Sequence, residues 1–150
     1  MATRGFEFYG NLDGGQQGPV IRDWPCNAID AEIGAVLVVD SNGELGLGTA
    51  SVTEVTAILM EDTVGTLVDG TNRKVAIVND RQIWKVSMDA TSTAAKKGYD
   101  KTIDVASAYK VDADDLSNGR MCLWDTGTDD DGNVLAYVQF QRPTFGASAS

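Results

Sequence analysis

The sequence predicts an all-β fold with little helix, either an antiparallel β-sandwich or a small β-barrel, with an extended N-terminal arm. Short apolar runs alternate with turn residues at a spacing of roughly 8–12 residues, which is typical of proteins built from many short strands. No proline interrupts the chain between Cys26 and Arg142. The two segments with helical character, residues 91–98 and 111–119, are too short to form a helical layer.

Seven strands are predicted, and each is an apolar or alternating run bounded by turn residues. The last two are expected to pair as a hairpin. In the final run, period-two alternation places Val134, Ala136, Val138 and Phe140 on one face. In chain order, the predicted strands cover residues 34–40, 44–48, 54–62, 73–80, 82–89, 120–125 and 133–140.

The first 25 residues differ in composition from the rest of the chain. They hold five of the 16 glycines and two of the three prolines, which predicts an extended arm with adhesive side chains and not a packed element. The expected organisation is an arm over residues 1–25, a β domain over 26–142 and a tail over 143–150. The arm packing back onto its own sheet, or onto a neighbouring copy, remains open. The candidate partner-binding residues of the arm are Arg4, Phe6, Phe8, Tyr9, Arg22 and Trp24.

The charge narrows the range of partners. The formal net charge is −10 and the pI is about 4.2, so neither nucleic acid nor an anionic membrane is an expected partner. No apolar run approaches the ~20 residues that a membrane span needs. The N-terminus has no apolar stretch that could serve as a signal peptide, so synthesis and folding in a cytoplasm are expected.

The chain contains no histidine, which restricts its chemistry. Ser-His and Cys-His nucleophile pairs are excluded within the chain, and we predict that the protein is not an enzyme and has no cofactor. Two cysteines, Cys26 and Cys122, cannot supply four zinc ligands. In a reducing compartment they are expected to be free thiols, although a disulfide between them remains open.

The acidic stretch "TDDDGN" (128–133) raises the question of a metal site. Alignment of Gly132 with the glycine of a calcium-binding loop leaves Gly127 and Val138 at positions that need oxygen ligands. Asp-Gly before an alternating run is instead a hairpin signal, and a hairpin turn is our interpretation, with an irregular cation site at Asp129–Asp131 as the alternative. Between Lys110 and Asp131, seven aspartates oppose two basic residues, which is expected either of a solvated, loop-rich end of a sandwich or of an outward acidic pole with the arm at the opposite pole.

The run "IDAEIGAVLVVDSNGELGLGTASVTEVTAILMED", followed by "VNDRQIWKVSMDA" and "CLWDTGTDDDGNVLAYVQF", resembles small decoration (cement) proteins of tailed-phage capsids. The resemblance covers roughly residues 29–140 as a pattern and carries no catalytic motif. It implies a β-rich structural protein, often a homotrimer, on the outer capsid surface of the virion, where it clamps neighbouring major capsid subunits through extended terminal segments.

Another class of binding protein remains open. A tail-associated or receptor-binding β module would also be acidic and β-rich. A carbohydrate-binding module would need exposed aromatic side chains on one face, and the candidates for that face are Trp84, Tyr109 and Trp124.

Overall fold

The computed structural model describes residues 5–48, 57–62, 68–88, 104–107, 109–112 and 121–140, and no helix is present among them. The predicted all-β class is confirmed. The helical candidate at 91–98 lies outside the described residues, as does most of the candidate at 111–119. The strands are β1 (Glu7–Asn11), β2 (Val20–Cys26), β3 (Val36–Val39), β4 (Leu45–Leu47), β5 (Ala57–Leu59), β6 (Thr71–Ile77), β7 (Gln82–Met88), β8 (Asp104–Ser107), β9 (Lys110–Asp112), β10 (Met121–Thr128) and β11 (Val134–Phe140).

The strands form two layers. Strands β2-β4-β3-β5-β6 close into a barrel, and a six-stranded sheet has the order β10-β11-β7-β9-β8 with β1 also paired to β7. The described pairings are antiparallel except for β2–β4 and β7–β9. The structure therefore combines the two predicted architectures, because a small barrel packs against an open sheet.

The barrel interior is filled by side chains from alternate positions of its strands. Leu37, Leu59 and Val75 point inward and are fully buried, as expected for a small barrel that has no room for a channel. Their neighbours Val36 and Ile58 point outward and are equally buried, because they pack against the sheet. Burial of both faces explains why the sequence has continuous apolar runs at these strands instead of a clean alternation.

The inner face of the sheet supplies the other half of this interlayer core. Trp84 of β7 and Phe140 of β11 are fully buried, with their ring centroids 6.3 Å apart. Val138 and Ala136 lie on the same face, so the alternation predicted for β11 is confirmed. The seven predicted strands correspond to β3–β7, β10 and β11, whereas β1, β2, β8 and β9 were not predicted.

The expectation of an extended, unpacked arm over residues 1–25 is wrong for the described part of that segment. Phe6 is only 2% exposed and packs against Phe140 in a tilted arrangement, with the two ring centroids 5.5 Å apart. Gly5 and Gly34 cross so closely that a Cβ on either would lie within 2.9 Å of the other's backbone, and the Phe6 N–H donates to Gly34 O at 2.8 Å. The alternative that the segment packs onto its own sheet holds here. The tail 143–150 lies outside the described residues.

Local irregularities in the sequence explain why this segment was predicted to be an arm and not two strands. A bulge at Tyr9, between Phe8 and Gly10, breaks the period-two alternation of β1, and glycine and bulges together resemble a loop signal in sequence. Strand β2 crosses the predicted boundary at residue 25 and pairs with β6 over all seven of its residues. Residues 1–25 and 26–142 are therefore not separate units where the chain is described.

The acidic stretch is a hairpin turn, as predicted. Asp129 N donates to Asn133 O at 3.0 Å, Gly132 N donates to Asp129 O at 3.1 Å, and Gly132 has φ = 85°. The Asp129 carboxylate caps the turn, since its Oδ1 accepts from the N–H groups of Asp131 and Asn133 at 2.9 and 2.8 Å. The aspartate followed three positions later by glycine therefore sets the backbone of the turn.

The β3–β4 turn repeats this arrangement at Asp40. Its Oδ1 accepts from Asn42 N at 2.8 Å and Glu44 N at 3.0 Å, and Gly43 has φ = 80°. Burial would raise the pKa of the Asp40 carboxyl, but hydrogen bonds from these N–H groups and from the Asn27 side chain outweigh burial and lower the pKa below its usual value.

Candidate binding groove at the mouth of the barrel

A groove of about 960 Å³ opens at one end of the barrel. Its floor is formed by alternate residues of β2, namely Val20, Arg22 and Trp24, together with Ile77 of β6. Farther along the inner face of β2, Cys26 belongs to the barrel core, as does Val75, which pairs with Arg22 across the β2–β6 ladder. The groove is therefore the continuation of the barrel interior beyond the point where aliphatic side chains fill it, and barrel mouths are frequent ligand sites.

Trp24 closes one side of the barrel beneath the groove. Strands β2 and β4 pair only at Cys26 and Leu45, so they have separated by the level of Trp24. The half-buried Trp24 side chain spans toward the β3–β4 turn, where its Nε1–H donates to Gly43 O at 2.8 Å. This bond gives the indole a fixed orientation in the floor.

One wall of the groove is the β1–β2 loop, which its own polar groups hold in place. Asn11 Nδ2 donates to the carbonyl oxygens of Gly15 and Gln17, both at 2.8 Å. Asp13 Oδ1 accepts from Gly15 N at 2.8 Å. The loop is therefore shaped before any ligand arrives, which reduces the entropy lost on binding.

The β6–β7 turn forms another part of the wall and is similarly fixed, and it adjoins the β1–β2 loop because Leu12 N donates to Arg81 O at 2.8 Å. Asn79 Oδ1 accepts from Arg81 N at 2.9 Å. The buried Gln82 uses one oxygen, Oε1, to accept from Asn79 N at 3.1 Å and from Trp84 Nε1 at 3.2 Å. The turn is thus tied to the interlayer core, and Arg81 projects from a rigid support.

The lining of the groove carries more positive than negative side chains, whereas the chain as a whole is negatively charged. Arg22 and Arg81 line it beside a single carboxylate, Asp13, although the whole chain has a net charge of −10. Neither guanidinium makes an ion pair or a side-chain hydrogen bond with the described residues. Unpaired arginines in a preformed concavity can bind carboxylates with paired N–H···O bonds.

The lining offers binding groups and not a nucleophile with its base. Among the described lining residues there is no serine, threonine, cysteine, lysine or tyrosine. Cys26 lies below the floor with 1% exposure, and burial raises the pKa of its thiol to about 11, with Arg73 opposing the shift only in part. The thiol is therefore protonated near neutral pH. Cys26 and Cys122 are not joined by a disulfide.

The structure separates the six residues predicted from the arm. Phe6 and Phe8 belong to the interlayer core, where Phe8 contacts Trp84 edge to face at 5.7 Å. Arg22 and Trp24 line the groove. These two residues project from a strand and not from a flexible arm, and their role in binding a partner stays a prediction.

Of the two other predicted arm residues, Tyr9 does not line the groove. Tyr9 is 58% exposed and packs edge to face on Tyr137, with a centroid distance of 4.7 Å. Arg4 lies outside the described residues. Sequence reasoning missed Arg81, because a single arginine in the turn "NDRQ" has no spacing that relates it to Arg22.

The aromatic residues considered for a carbohydrate face do not form one. Trp84 is fully buried. Tyr109 is half-buried against the barrel core, and its hydroxyl accepts from Glu32 N at 2.8 Å. Trp124, at the bulge of β10, is 46% exposed, so it alone of the three presents a large surface to solvent.

No known protein-family model matches the chain, and neither a curated protein nor a solved structure matches it. Within the described ranges, no group of three or more acidic, cysteine or histidine side chains is placed to hold a metal ion. The same ranges include no helix of the length and apolarity required to cross a membrane.

Proposed function

We propose that the chain is a structural virion protein that binds the outer surface of a phage capsid and clamps neighbouring major capsid subunits. One observation carries the proposal beyond the sequence resemblance. Of the seven large hydrophobic side chains that are exposed among the described residues, four lie between positions 9 and 21. Val20 lines the groove, whereas Tyr9, Leu12 and Ile21 lie outside it. Clustering of exposed apolar side chains in one segment favours a protein contact surface.

This surface differs in kind from a flexible arm. Residues 7–11 and 20–26 are paired into the two sheets, so most of the backbone entropy of the contact segment is already lost on folding. Each side chain of the size of Ile21 contributes about 1.5–3 kcal/mol if binding buries it fully. A preordered surface retains more of that energy as affinity than a segment that orders on binding.

The proposal also includes association of the chain with further copies of itself. In a homotrimer, three weak contacts to one particle act together, and their combined strength exceeds that of any single contact. The partners in the proposal are therefore the major capsid protein and two further copies of this chain.

The test uses particles of the encoding virus from which the protein has been removed. The variant Leu12→Ser/Ile21→Ser, whose two substituted residues both lie outside the groove, should lose co-sedimentation with these particles by about tenfold or more, as expected for the loss of two buried apolar contacts. Val68→Ser is the matched control, because Val68 is 63% exposed but lies outside the segment. Both variants should keep the thermal unfolding midpoint of the unmodified protein.

Equal attachment of the two variants would contradict the proposal. Binding to host cells with no binding to particles would instead support the tail-associated or receptor-binding alternative.

A further inference from the structure

We propose that the groove receives the tip of the β10–β11 hairpin, residues 129–132, from a second copy of this chain, so that copies associate head to tail. The inference rests on the self-association within the proposed function and not on the capsid as partner. It names the two surfaces that meet, which are an arginine-lined concavity and an aspartate-bearing projection.

The groove needs an anionic occupant. Its two guanidinium groups, on Arg22 and Arg81, face a single lining carboxylate and have no ion-pair partner among the described residues. Asp80 lies on the same turn as Arg81 but does not line the groove. With a volume of about 960 Å³, the groove lies near the upper end of the roughly 300–1,000 Å³ that ligand pockets span, which suits a chain segment better than a single ion.

The hairpin tip is the matching anion. Asp129 is occupied as the cap of the turn, and its Oδ2 also accepts from Asn133 Nδ2 at 3.0 Å. Asp130 and Asp131 are exposed, and their carboxylates bond to none of the described side chains or N–H groups. The cap therefore makes a rigid turn that presents two free carboxylates. Because the turn is already ordered, binding costs little further conformational entropy.

The topology excludes this contact within one copy. Leu135 of β11 pairs with Ser87 of β7, which places the hairpin tip beyond the Met88 end of that strand. Gln82, at the other end of β7, lines the groove. A seven-residue strand spans about 20 Å at ~3.3 Å per residue, so the tip and the groove lie at opposite ends of the sheet. The contact must join two copies, and a head-to-tail contact closes into a ring only if its rotation allows closure.

Charge explains why this surface is favoured over others. Two copies that each have a net charge of −10 repel one another unless opposite charges meet at the contact. The groove is a place where a copy presents unpaired positive charge, and the tip presents unpaired negative charge. Arginine–carboxylate pairs in a partly dry concavity are stronger than surface pairs and fix the register of the contact.

The experiment is a charge exchange read by analytical ultracentrifugation over a range of protein concentrations. A groove variant, Arg22→Glu/Arg81→Glu, and a tip variant, Asp130→Lys/Asp131→Lys, should each weaken association by about tenfold or more. The variant that combines all four substitutions should recover association, because the charges are opposite again. Asp30→Lys/Glu32→Lys changes two exposed acids elsewhere by the same charge as the tip variant and should not weaken association.

Thermal unfolding of each variant shows whether it is folded, and a salt titration of the unmodified protein gives a check that needs no substitution. Association should weaken as salt rises. If the unmodified protein associates but neither variant weakens it, or if the combined variant fails to recover, the tip-in-groove contact is wrong while self-association stands. If the unmodified protein is a monomer at every concentration, both the contact and the proposed trimer are wrong, and the capsid-binding test still decides the rest of the proposed function.

Discussion

The two halves of the N-terminal segment share a loop-like composition but differ in which of their side chains are buried. Both contain aromatic residues beside glycine or proline, yet Phe6 in the first half is 2% exposed, whereas Val20 and Ile21 in the second are 53% and 47% exposed. The difference arises from what lies on the other side of each strand. Composition alone therefore does not separate a core strand from a binding strand.

Topology supplies the missing distinction. Strand β1 lies along β7 in the sheet that packs against the barrel, so its inward side chains enter the interlayer core. Strand β2 pairs with β6 along its length but meets β4 at one residue pair, so the inner face of its first half opens into the groove. The inward side chains of β1 stabilise the fold, and the first half of β2 lines the groove, while both strands contribute exposed side chains such as Tyr9 and Ile21.

The strongest point test of this contrast compares Phe6 with Tyr9, which lie three positions apart. Phe6→Ala should lower the free energy of unfolding by about 3–5 kcal/mol, because it leaves a cavity between the layers. Tyr9→Ala removes an exposed ring that packs on Tyr137 and should cost about 0.5–1.5 kcal/mol. Urea denaturation measures both. Equal losses would show that β1 does not contribute to the core as described.

A second test concerns the crossing that holds the first half in place. Gly34 has φ = 97°, and a Cβ there would lie 2.9 Å from Gly5 Cα. Gly34→Ala should therefore reduce stability by about 1–3 kcal/mol through backbone strain and steric overlap. The control is Gly10→Ala, since a Cβ at Gly10 meets nothing within 4 Å. If the control destabilises the protein as much as Gly34→Ala, the effect is not due to the crossing.

The second half should show a smaller effect on stability. Trp24→Phe keeps most of the ring but removes the N–H that donates to Gly43 O at 2.8 Å, and we expect a loss of about 0.5–1.5 kcal/mol. Trp124→Phe, at an exposed position on β10, should change the unfolding free energy by less than about 0.5 kcal/mol. A larger loss at Trp124 than at Trp24 would contradict the assignment of Trp24 to the floor of the groove.

The smallest expected effect is a pH dependence at Asp40, whose turn carries the Gly43 carbonyl that anchors Trp24. Because the folded-state pKa of Asp40 lies below the ordinary value of 3.8, its contribution to stability is complete above that value and is lost as pH falls through the folded pKa. Asp40→Asn keeps an acceptor oxygen but does not titrate. The stability difference between the two proteins should therefore shrink as the pH is lowered from about 5 through the ordinary value of 3.8. A difference that stays constant over this range would contradict the lowered pKa.

Much of the fold could be predicted from the sequence, because β3–β7 and β11 bury at least one regular face and so have apolar runs of strand length. Strand β1 could not be predicted, because the bulge at Tyr9 and Gly10 conceal its alternation. Strand β2 could not either, since Arg22, Asp23 and Pro25 are typical of an exposed strand edge or a loop.

The groove was predictable only in part. Arg22 and Trp24 are residues suited to binding, and the sequence indicates them as such. Arg81 is 59 positions from Arg22 in the chain, and only the pairing of β2 with β6 brings the β6–β7 turn to the same groove. That pairing depends on which strands close the barrel, and it cannot be predicted from the sequence pattern of either strand alone.

The central claim is that the N-terminal segment is part of the folded core as well as a contact surface. Deletion of residues 2–22 tests it most directly, because the deletion removes β1, Phe6 and the first three residues of β2. We expect the truncated chain to lose its cooperative unfolding transition, as measured by circular dichroism during heating. A truncated chain that unfolds cooperatively near the midpoint of the full-length protein would contradict the account and would restore the interpretation of residues 1–25 as a separate arm.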